Sequence, residues 1–595
     1  MINYEQKVLS VVEETIEATY SVKPEKSQLL ITPTRRDIPG DFSIVLFPLA
    51  KFLKVSPKEV ADLLIPALEN QDFIKKAEFL KGFLNIFLNG VSWVNFLEDL
   101  HHSDISSFVK QPDGQLLMVE FSSPNTNKPQ HLGHIRNNLL GDALSRMLSE
   151  IGNKVIRVNL INDRGIHICK SMLAWKKWGN GITPEKAGKK GDHLVGDFYV
   201  IFEKKYKEQV EELVKQGVPE DEAKRNAPLL KEAQEMLKKW EQGDPEVMEI
   251  WKTMNSWVLK GFEQTYRELG IHFDKIYYES DTYLLGKKII LEQLEKGVVQ
   301  KAEDGSVYID LSDEKLDKKI LLRSDGTSVY ITQDIGNAVL RYKEYGFDKH
   351  YYVVADEQIY HFKVLRATLK RFGYPWWDKI IHFSYGMVEL PEGKMKSREG
   401  KVVDADDLIE EMYITAREKA QESGKLEGID VEEKEKIIKQ IGLAALKFYI
   451  LNVDPKRTVL FIPQKSIDFQ GKTGPFVQYS YARIRSIFRK AQESGIEIDY
   501  NLDNSVQPQQ KELDLIKNIY FYPQTVIKAA EQMNPSIISN FVYNLAKDFN
   551  SYYHDHPILK ADPAVRNFRL LLADSVARII KHALGLLGIE APERM

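Results

Sequence analysis

The sequence predicts a parallel α/β core with a helical insertion, set between a small α+β unit and an all-α C-terminal region. Three observations lead there. From about residue 113 apolar strand-like runs alternate with helical patterns, which is how a parallel sheet reads. That alternation is interrupted from about 172 to 262 by charged helical sequence, including Lys204-Lys-Tyr-Lys-Glu-Gln-Val-Glu-Glu-Leu-Val-Lys215. From about 405 onward the periodicity is helical almost throughout, with loops at Asn452-Val-Asp-Pro and around Pro508.

Taken in order, Tyr4 to Tyr20 has helical periodicity, Gln28-Leu-Leu-Ile-Thr reads as strand, Phe47 to Leu53 as helix and Phe83-Leu-Asn-Ile-Phe-Leu88 as a closing strand. Pattern alone makes this first unit no more than a packing domain. In the core, Leu116-Leu-Met-Val-Glu-Phe and Lys154-Val-Ile-Arg-Val-Asn-Leu-Ile161 read as buried strands. The second ends at the turn Asn162-Asp-Arg-Gly165, at the strand end where ligands of open α/β sheets gather. Sheet character returns at Asp274 to Ser280, Ser328-Val-Tyr-Ile-Thr332 and His350-Tyr-Tyr-Val-Val-Ala355. The charge run of the insertion reads as a solvated helix face.

A chain of 595 residues holds roughly four domains by the length prior. Its 43% hydrophobic and 28% charged content is that of a water-soluble globular protein. The single cysteine, Cys169, excludes an intramolecular disulfide and a cysteine zinc cluster, and suits a reducing cytoplasm. Neither a secretory leader nor an apolar run of about 18 residues is evident, so no membrane role is expected. The net charge of −4 argues against indiscriminate nucleic-acid binding, while leaving room for a local basic surface.

The most informative stretch is Val119-Glu-Phe-Ser-Ser-Pro-Asn-Thr-Asn-Lys-Pro-Gln-His-Leu-Gly-His134. It puts His131, Gly133 and His134 at a strand–turn–helix opening. There a glycine lets a nucleotide approach the backbone and the helix start favours negative charge. Imidazoles so placed can donate to phosphate oxygens whose charge grows in a transition state. An H-x-G-H alone is weak, since two histidines at that spacing are more often a helix-start packing detail. It gains weight from the glycine-punctuated basic loop Gly386 to Gly400, in which Lys394, Lys396 and Arg398 accompany Ser397.

The two segments together resemble the class I aminoacyl-tRNA synthetases, with His131-Leu-Gly-His134 as first signature and Lys394-Met-Lys-Ser-Arg398 at the place of the K-M-S-K-S loop. More closely, the chain is similar to the arginyl-tRNA synthetases. That likeness rests on Ser123-Pro-Asn-Thr-Asn-Lys-Pro, Asn162-Asp-Arg-Gly, Tyr330-Ile-Thr-Gln-Asp334, Tyr385-Gly-Met-Val and the closing Pro592-Glu-Arg-Met595. It implies a Rossmann-like catalytic domain over 113–405, an N-terminal tRNA-elbow domain over 1–112, a helical connection over 406–470 and an anticodon-binding domain over 471–595. It further implies ATP with Mg²⁺, L-arginine and tRNA(Arg) as partners, a monomer, a cytoplasmic location and no resident metal. Activation is expected to require bound tRNA.

The resemblance also distributes roles. Lys128, His131, Gly133, His134, Met387, Val388, Lys394, Met395 and Ser397 fall at ATP-binding positions. Ser397 stands where the family has a lysine that steadies the leaving pyrophosphate; Lys128, Lys396 and Arg398 are the candidates to replace it. Arginine's fork of donors needs carboxylates in a bidentate arrangement. Glu279 and Asp334 match the guanidinium-binding positions, and a helical turn brings Tyr330 onto the face of Asp334. Glu120, Ser123, Asn125 and Gln358 match positions that hold the amino-acid end or brace the pocket. For tRNA, the likeness points to Asn85 and Phe87 in the first unit, and to Arg483, Arg485, Tyr553 and Met595 in the last. By pattern alone the helix with Arg483 and Arg485 is as well explained by solvated arginines.

Two other readings stay open on the sequence. One is another H-x-G-H adenylyltransferase or a synthetase for a different amino acid, which leaves the pair Glu279 and Asp334 unexplained. The other is a regulatory synthetase-like protein, favoured only by the altered loop.

Overall fold

The computed structural model describes residues 2–34, 38–110, 114–389, 403–423, 428–500, 502 and 506–595. Its centre is a five-stranded parallel sheet in the order Ile380–Tyr385, Lys349–Ala355, Leu116–Glu120, Lys154–Ile161, Lys275–Tyr278. Numbered along the chain these strands run 5-4-1-2-3 in that order across the sheet. The chain therefore reverses direction between Leu116–Glu120 and Lys349–Ala355, and a crevice opens there at the carboxyl ends. Leu117, Met118 and Val119 are all buried, which is why the first strand reads as an unbroken apolar run. The helix Leu132–Glu150 follows it, and its Gly141 lies so close to Phe121 that no side chain fits between them.

The insertion is helical as expected, but it spans more of the chain. It runs from Ile166–Trp178 through Gly191–Lys215 and Pro228–Glu241 to Pro245–Glu268. Gly196 of the second long helix packs on Pro129 beside Lys128. Two expectations of strand are corrected. Ser328–Thr332 contributes only a bridge from Ser328 to Leu322; Tyr330 opens the helix Tyr330–Tyr345. Its β-branched residues favour a strand, yet Ile331, Ile335 and Ala338 recur at helical spacing and are buried, and tertiary burial overrides propensity. Likewise the strand after Asp274 stops at Tyr278, and Glu279 begins the helix Glu279–Glu295. A small antiparallel sheet of Gln300–Lys301, Val307–Ile309 and Lys319–Leu322 was not foreseen.

The first unit is an antiparallel sheet ordered Leu30–Pro33, Phe42–Val45, Phe83–Leu88, Ile74–Leu80, with the helices Tyr4–Tyr20 and Pro57–Glu69. Gln28 belongs to a short helical turn rather than to the strand after it. The C-terminal region is helical apart from Val459–Leu460, which pairs with Val388–Glu389. The two ends of the chain meet: Tyr520 Oη accepts from the Tyr4 amide at 2.9 Å, and Arg578 donates to the carbonyls of Leu100 and His101 at 2.8 and 3.1 Å. No helix among the described residues is long and apolar enough to cross a membrane.

Candidate active site

The turn after Leu116–Glu120 is built to fix its side chains. Ser122 takes a left-handed φ of 63° and its amide donates to Asn137 Oδ1 at 2.6 Å, so the chain bends sharply at the strand end. His131 then caps the helix that begins at Leu132. Its Nδ1 accepts from the Gly133 amide at 3.1 Å, while the His131 amide donates to Nδ1 of His134 at 3.1 Å. The ring centroids are 3.9 Å apart.

These hydrogen bonds settle the protonation state. Each Nδ1 is an acceptor, so each neutral ring carries its proton on Nε2. Burial, with Lys128 adding to it, pushes His131 down to about 4. Burial, then His131 and Lys128, push His134 well below the ordinary value. The site thus holds two neutral imidazoles whose Nε2–H donors have no hydrogen bond among the described residues. Lys128, part-buried in the same turn, is itself lowered by burial.

The second signature is anchored at both ends, although Lys394, Met395, Lys396, Ser397 and Arg398 lie outside the described residues. On the near side, the fully buried Arg136 donates to the carbonyls of Gly386 (2.7 Å), Pro455 (3.1 Å) and Arg457 (2.7 Å). Met387 and Val388 follow directly, Met387 exposed and Val388 buried. On the far side, the Leu132 amide donates to Val403 O at 3.1 Å and the Ala405 amide to Gln130 O at 2.9 Å, so His131 and Asp404 face one another across a bridge. Beyond, Asp406 is tied to the insertion through Lys190 at 2.6 Å and His193 at 2.9 Å. Asp192, His193 and Asp406 form a metal-like cluster, but the Lys190 ammonium already sits within it, 3.2 Å from Asp192.

The amino-acid residues gather at the carboxyl end of the same sheet. Glu279 Oε1 accepts from Gln333 Nε2 at 3.1 Å and lies 3.8 Å from an Arg164 nitrogen. Asp334 Oδ2 pairs with His361 Nε2 at 2.6 Å. The second oxygen of each carboxylate has no hydrogen bond among the described residues. Burial raises the Glu279 carboxyl, against the pull of Arg164. Tyr330, 82% exposed, lies one turn before Asp334, and Gln358, Ser123 and Asn125 are exposed as well. Asn125 bridges to Asn162, whose side-chain amide donates to Ser123 O at 3.1 Å.

Glu120 faces the other way. Its carboxylate is clasped by the buried Arg341, whose charge burial opposes but Glu120 sustains, with His350 nearby. It braces the crevice from beneath and does not point its charge into it. Sequence reasoning missed Arg136, Arg164, Gln333, Arg341 and His361. The only signal was that three of them lie inside or beside quoted motifs.

The residues matched to tRNA contacts divide. Phe87 is partly exposed with the Lys76 ammonium 4.3 Å over its ring, and Tyr553 and Met595 are partly exposed. Arg483 is half-buried and donates to Asn550 Oδ1 at 2.8 Å. Two of these side chains have partners within the protein. Asn85 is 3% exposed and accepts from Ser43 Oγ at 2.6 Å, so its side chain does not reach the surface. Arg485, 34% exposed, donates to Glu593 Oε2 at 2.8 Å, and Glu593 also accepts from Tyr481 Oη at 2.5 Å.

Residues 98–462 match the family described as tRNA synthetases class I (R), catalytic domain; residues 477–595 match the DALR anticodon binding domain, and 6–88 the arginyl tRNA synthetase N terminal domain. The chain is 50% identical over 594 residues to the arginine–tRNA ligase of Bacteroides thetaiotaomicron, covering 99% of this chain and 100% of the relative. It is 48% identical over 597 residues to that of Porphyromonas gingivalis, with 99% of each covered. The Thermus thermophilus arginyl-tRNA synthetase superposes over 100% of both chains with a TM-score of 0.79 at 27% identity. With such likeness from end to end and both signature segments joined at the switch point of the sheet, the chain belongs to the arginyl-tRNA synthetases, class I enzymes that use ATP to ligate arginine to tRNA.

Proposed function

We propose the following division of labour for arginine activation and transfer. The arginine carboxylate attacks the α-phosphate of ATP in line and pyrophosphate leaves. A ribose hydroxyl of the terminal adenosine of tRNA(Arg) then attacks the adenylate carbonyl and AMP leaves. The observation that carries this reading is the pair of neutral imidazoles whose Nδ1 atoms are committed to backbone amides, leaving two Nε2–H donors for the phosphate undergoing transfer. No protein nucleophile is required, because orientation and preorganised charge do the work.

Lys128 neutralises the β- and γ-phosphates together with the Lys394–Arg398 segment, and Met387 and Val388 line the nucleotide. Magnesium arrives with ATP and needs no all-protein cage. Glu279 and Asp334 each offer a carboxylate oxygen to the substrate guanidinium, with Tyr330 packed on its stem. Ser123, Asn125 and Gln358 hold the amino and carboxylate ends, while Glu120 acts as a brace through Arg341. Residues 1–112 meet the tRNA elbow through Phe87; residues 471–595 meet the anticodon loop through Arg483, Tyr553 and Met595. The enzyme works as a cytoplasmic monomer.

The deciding experiment is tRNA charging with each amino acid in turn, following pyrophosphate release with and without tRNA. Charging confined to arginine, with release that depends on tRNA, is expected. Comparable charging with lysine or citrulline would refute the pocket.

A further inference from the structure

The Asn162–Gly165 turn does more than end a strand. The Asn162 amide donates to Pro124 O at 3.0 Å and its carbonyl accepts from Thr126 at 3.1 Å, fixing the loop that carries Ser123 and Asn125. Asp163 caps the helix that begins at Glu279, accepting from the Ser280 amide at 2.9 Å and its hydroxyl at 2.7 Å. The Asp163 carbonyl is held by Trp251 Nε1 at 2.6 Å. Gly165, at φ 108°, turns the chain into the next helix. Arg164 therefore leaves a backbone that both halves of the pocket hold still.

The Arg164 side chain is only 12% exposed and lies among two aromatic rings and two carboxylates. Its guanidinium lies 4.0 Å over the Tyr283 ring and 5.3 Å from that of Trp240. One terminal nitrogen donates to Glu241 Oε1, on the insertion, at 2.9 Å, whereas the other stops 3.8 Å from Glu279 Oε1. Its Nε is buried without an acceptor among the described residues. A full guanidinium–carboxylate contact closes to about 2.8 Å. Arg164 is thus roughly an ångström short of occupying the carboxylate that the substrate's own guanidinium is to meet.

We propose that Arg164 is a positioning residue for amino-acid selection: anchored by Glu241 and seated on Tyr283, it stands beside Glu279 as a fixed guanidinium that turns this carboxylate toward the substrate without filling its outer oxygen. This rests on the reading of Glu279 as a guanidinium partner. Gln333 and Arg164 both address Oε1, which leaves Oε2 for the incoming side chain. A cation at that distance also favours the charged carboxylate, and a charged Glu279 penalises a neutral isostere such as citrulline. Releasing Arg164 from Glu241 lets it close on Glu279 and compete with arginine.

The test is tRNA charging kinetics, arginine KM and kcat separately, for Glu279→Gln, Arg164→Gln, Arg164→Lys, Glu241→Gln and the Arg164→Gln/Glu241→Gln pair, from about pH 6 to 9. Glu241→Gln, a change at a half-exposed side chain, raises the arginine KM about tenfold and far more than it lowers kcat. In the Arg164→Gln background the same change adds nothing. Arg164→Gln raises KM most at low pH, recovers as pH rises and narrows the preference for arginine over citrulline. Arg164→Lys keeps the charge and restores the pH profile, but one ammonium cannot lie flat on Tyr283 and recover full affinity. A Glu241 effect that persists without Arg164, or an Arg164→Gln enzyme with parental KM at every pH, overturns the inference while Glu279→Gln still raises KM. A parental KM in Glu279→Gln overturns the pocket itself.

Discussion

Replacing His134 with alanine tests the donor role of the imidazole pair most directly. The structure fixes what is lost. His134 Nδ1 caps the His131 amide at 3.1 Å and its Nε2–H has no hydrogen bond among the described residues. The change therefore removes one donor from the transferring phosphate and uncaps one backbone amide. Losing a preorganised donor to a developing oxyanion costs about 10²- to 10³-fold in rate, or roughly 3–4 kcal/mol. Losing the cap costs about 1 kcal/mol of stability. Asparagine, whose carbonyl replaces the cap and whose amide donates, is expected to recover about tenfold of the rate. Rapid quench of adenylate formation with tRNA bound separates this from product release. The loss belongs in the rate, with arginine KM near the parental value.

The same geometry sets the pH dependence. Burial holds both rings below the ordinary imidazole value, His131 at about 4 and His134 low as well. Both are then uncharged in the folded protein where unfolded histidine starts to protonate, near pH 6.5. The unfolded chain binds more protons as pH falls below that value, so the pair adds a stability loss on acidification and none above it. Activation between about pH 6 and 8 is expected to lack a limb from these residues. An alanine variant with unchanged adenylate formation, or a limb near 6.5 that vanishes in the variant, refutes the neutral-donor mechanism.

Three further outcomes are expected. Asp334→Ala strips the partner from a bound guanidinium, a loss of about 2–5 kcal/mol, so arginine KM rises by well over an order of magnitude while the tRNA Kd holds; equal damage to both would place the pocket elsewhere. Lys128→Ala slows pyrophosphate release at saturating ATP if it substitutes for the lysine that Ser397 displaces, and near-normal rates hand that role to Lys396 or Arg398. Arg136→Met leaves the Gly386 and Arg457 carbonyls without their donor, at about 1–3 kcal/mol for each one left unsatisfied, while Pro455 keeps the Gly386 amide; the melting temperature falls, and an unchanged one would mean water replaces the guanidinium.

What could be read from the chain followed its physical signals. Leu116–Glu120 is a run of buried apolar residues, Lys154–Ile161 is rich in Val, Ile and Leu, and Tyr4–Tyr20 buries Val8, Val12 and Ile16 at helical spacing, so each announced itself. Ser328–Thr332 did not, since its residue types favour a strand and only its neighbours make it a helix. Glu279 and Asp334 were singled out through their motifs. Their partners Gln333 and His361 were not, because Gln333 reaches Glu279 from 54 positions away and His361 reaches Asp334 from 27. Polar residues were the hardest to place. Asn85 sits opposite Ser43 in strand register and turns inward to it, and nothing in Asn-Ile-Phe distinguishes that from a residue facing RNA.

The joining of the two signatures has a mechanical consequence that neither motif reveals alone. The His131 backbone is bonded on one side within its own helix turn, and its neighbours Gln130 and Leu132 are bonded to Ala405 and Val403. Arg136, one turn further along that helix, grips Gly386. The segment between Gly386 and Val403 therefore begins and ends on the element that carries the imidazoles. A displacement of that element therefore shifts Gly386 and Val403 together. The insertion joins the same frame through Lys190 and Asp406, and through Gly196 packed beside Lys128. The elements assigned to ATP are thus braced against one another by backbone and buried charge. That is what transition-state stabilisation by fixed dipoles requires, since donors that had to reorganise during the reaction would return much of the energy they supply.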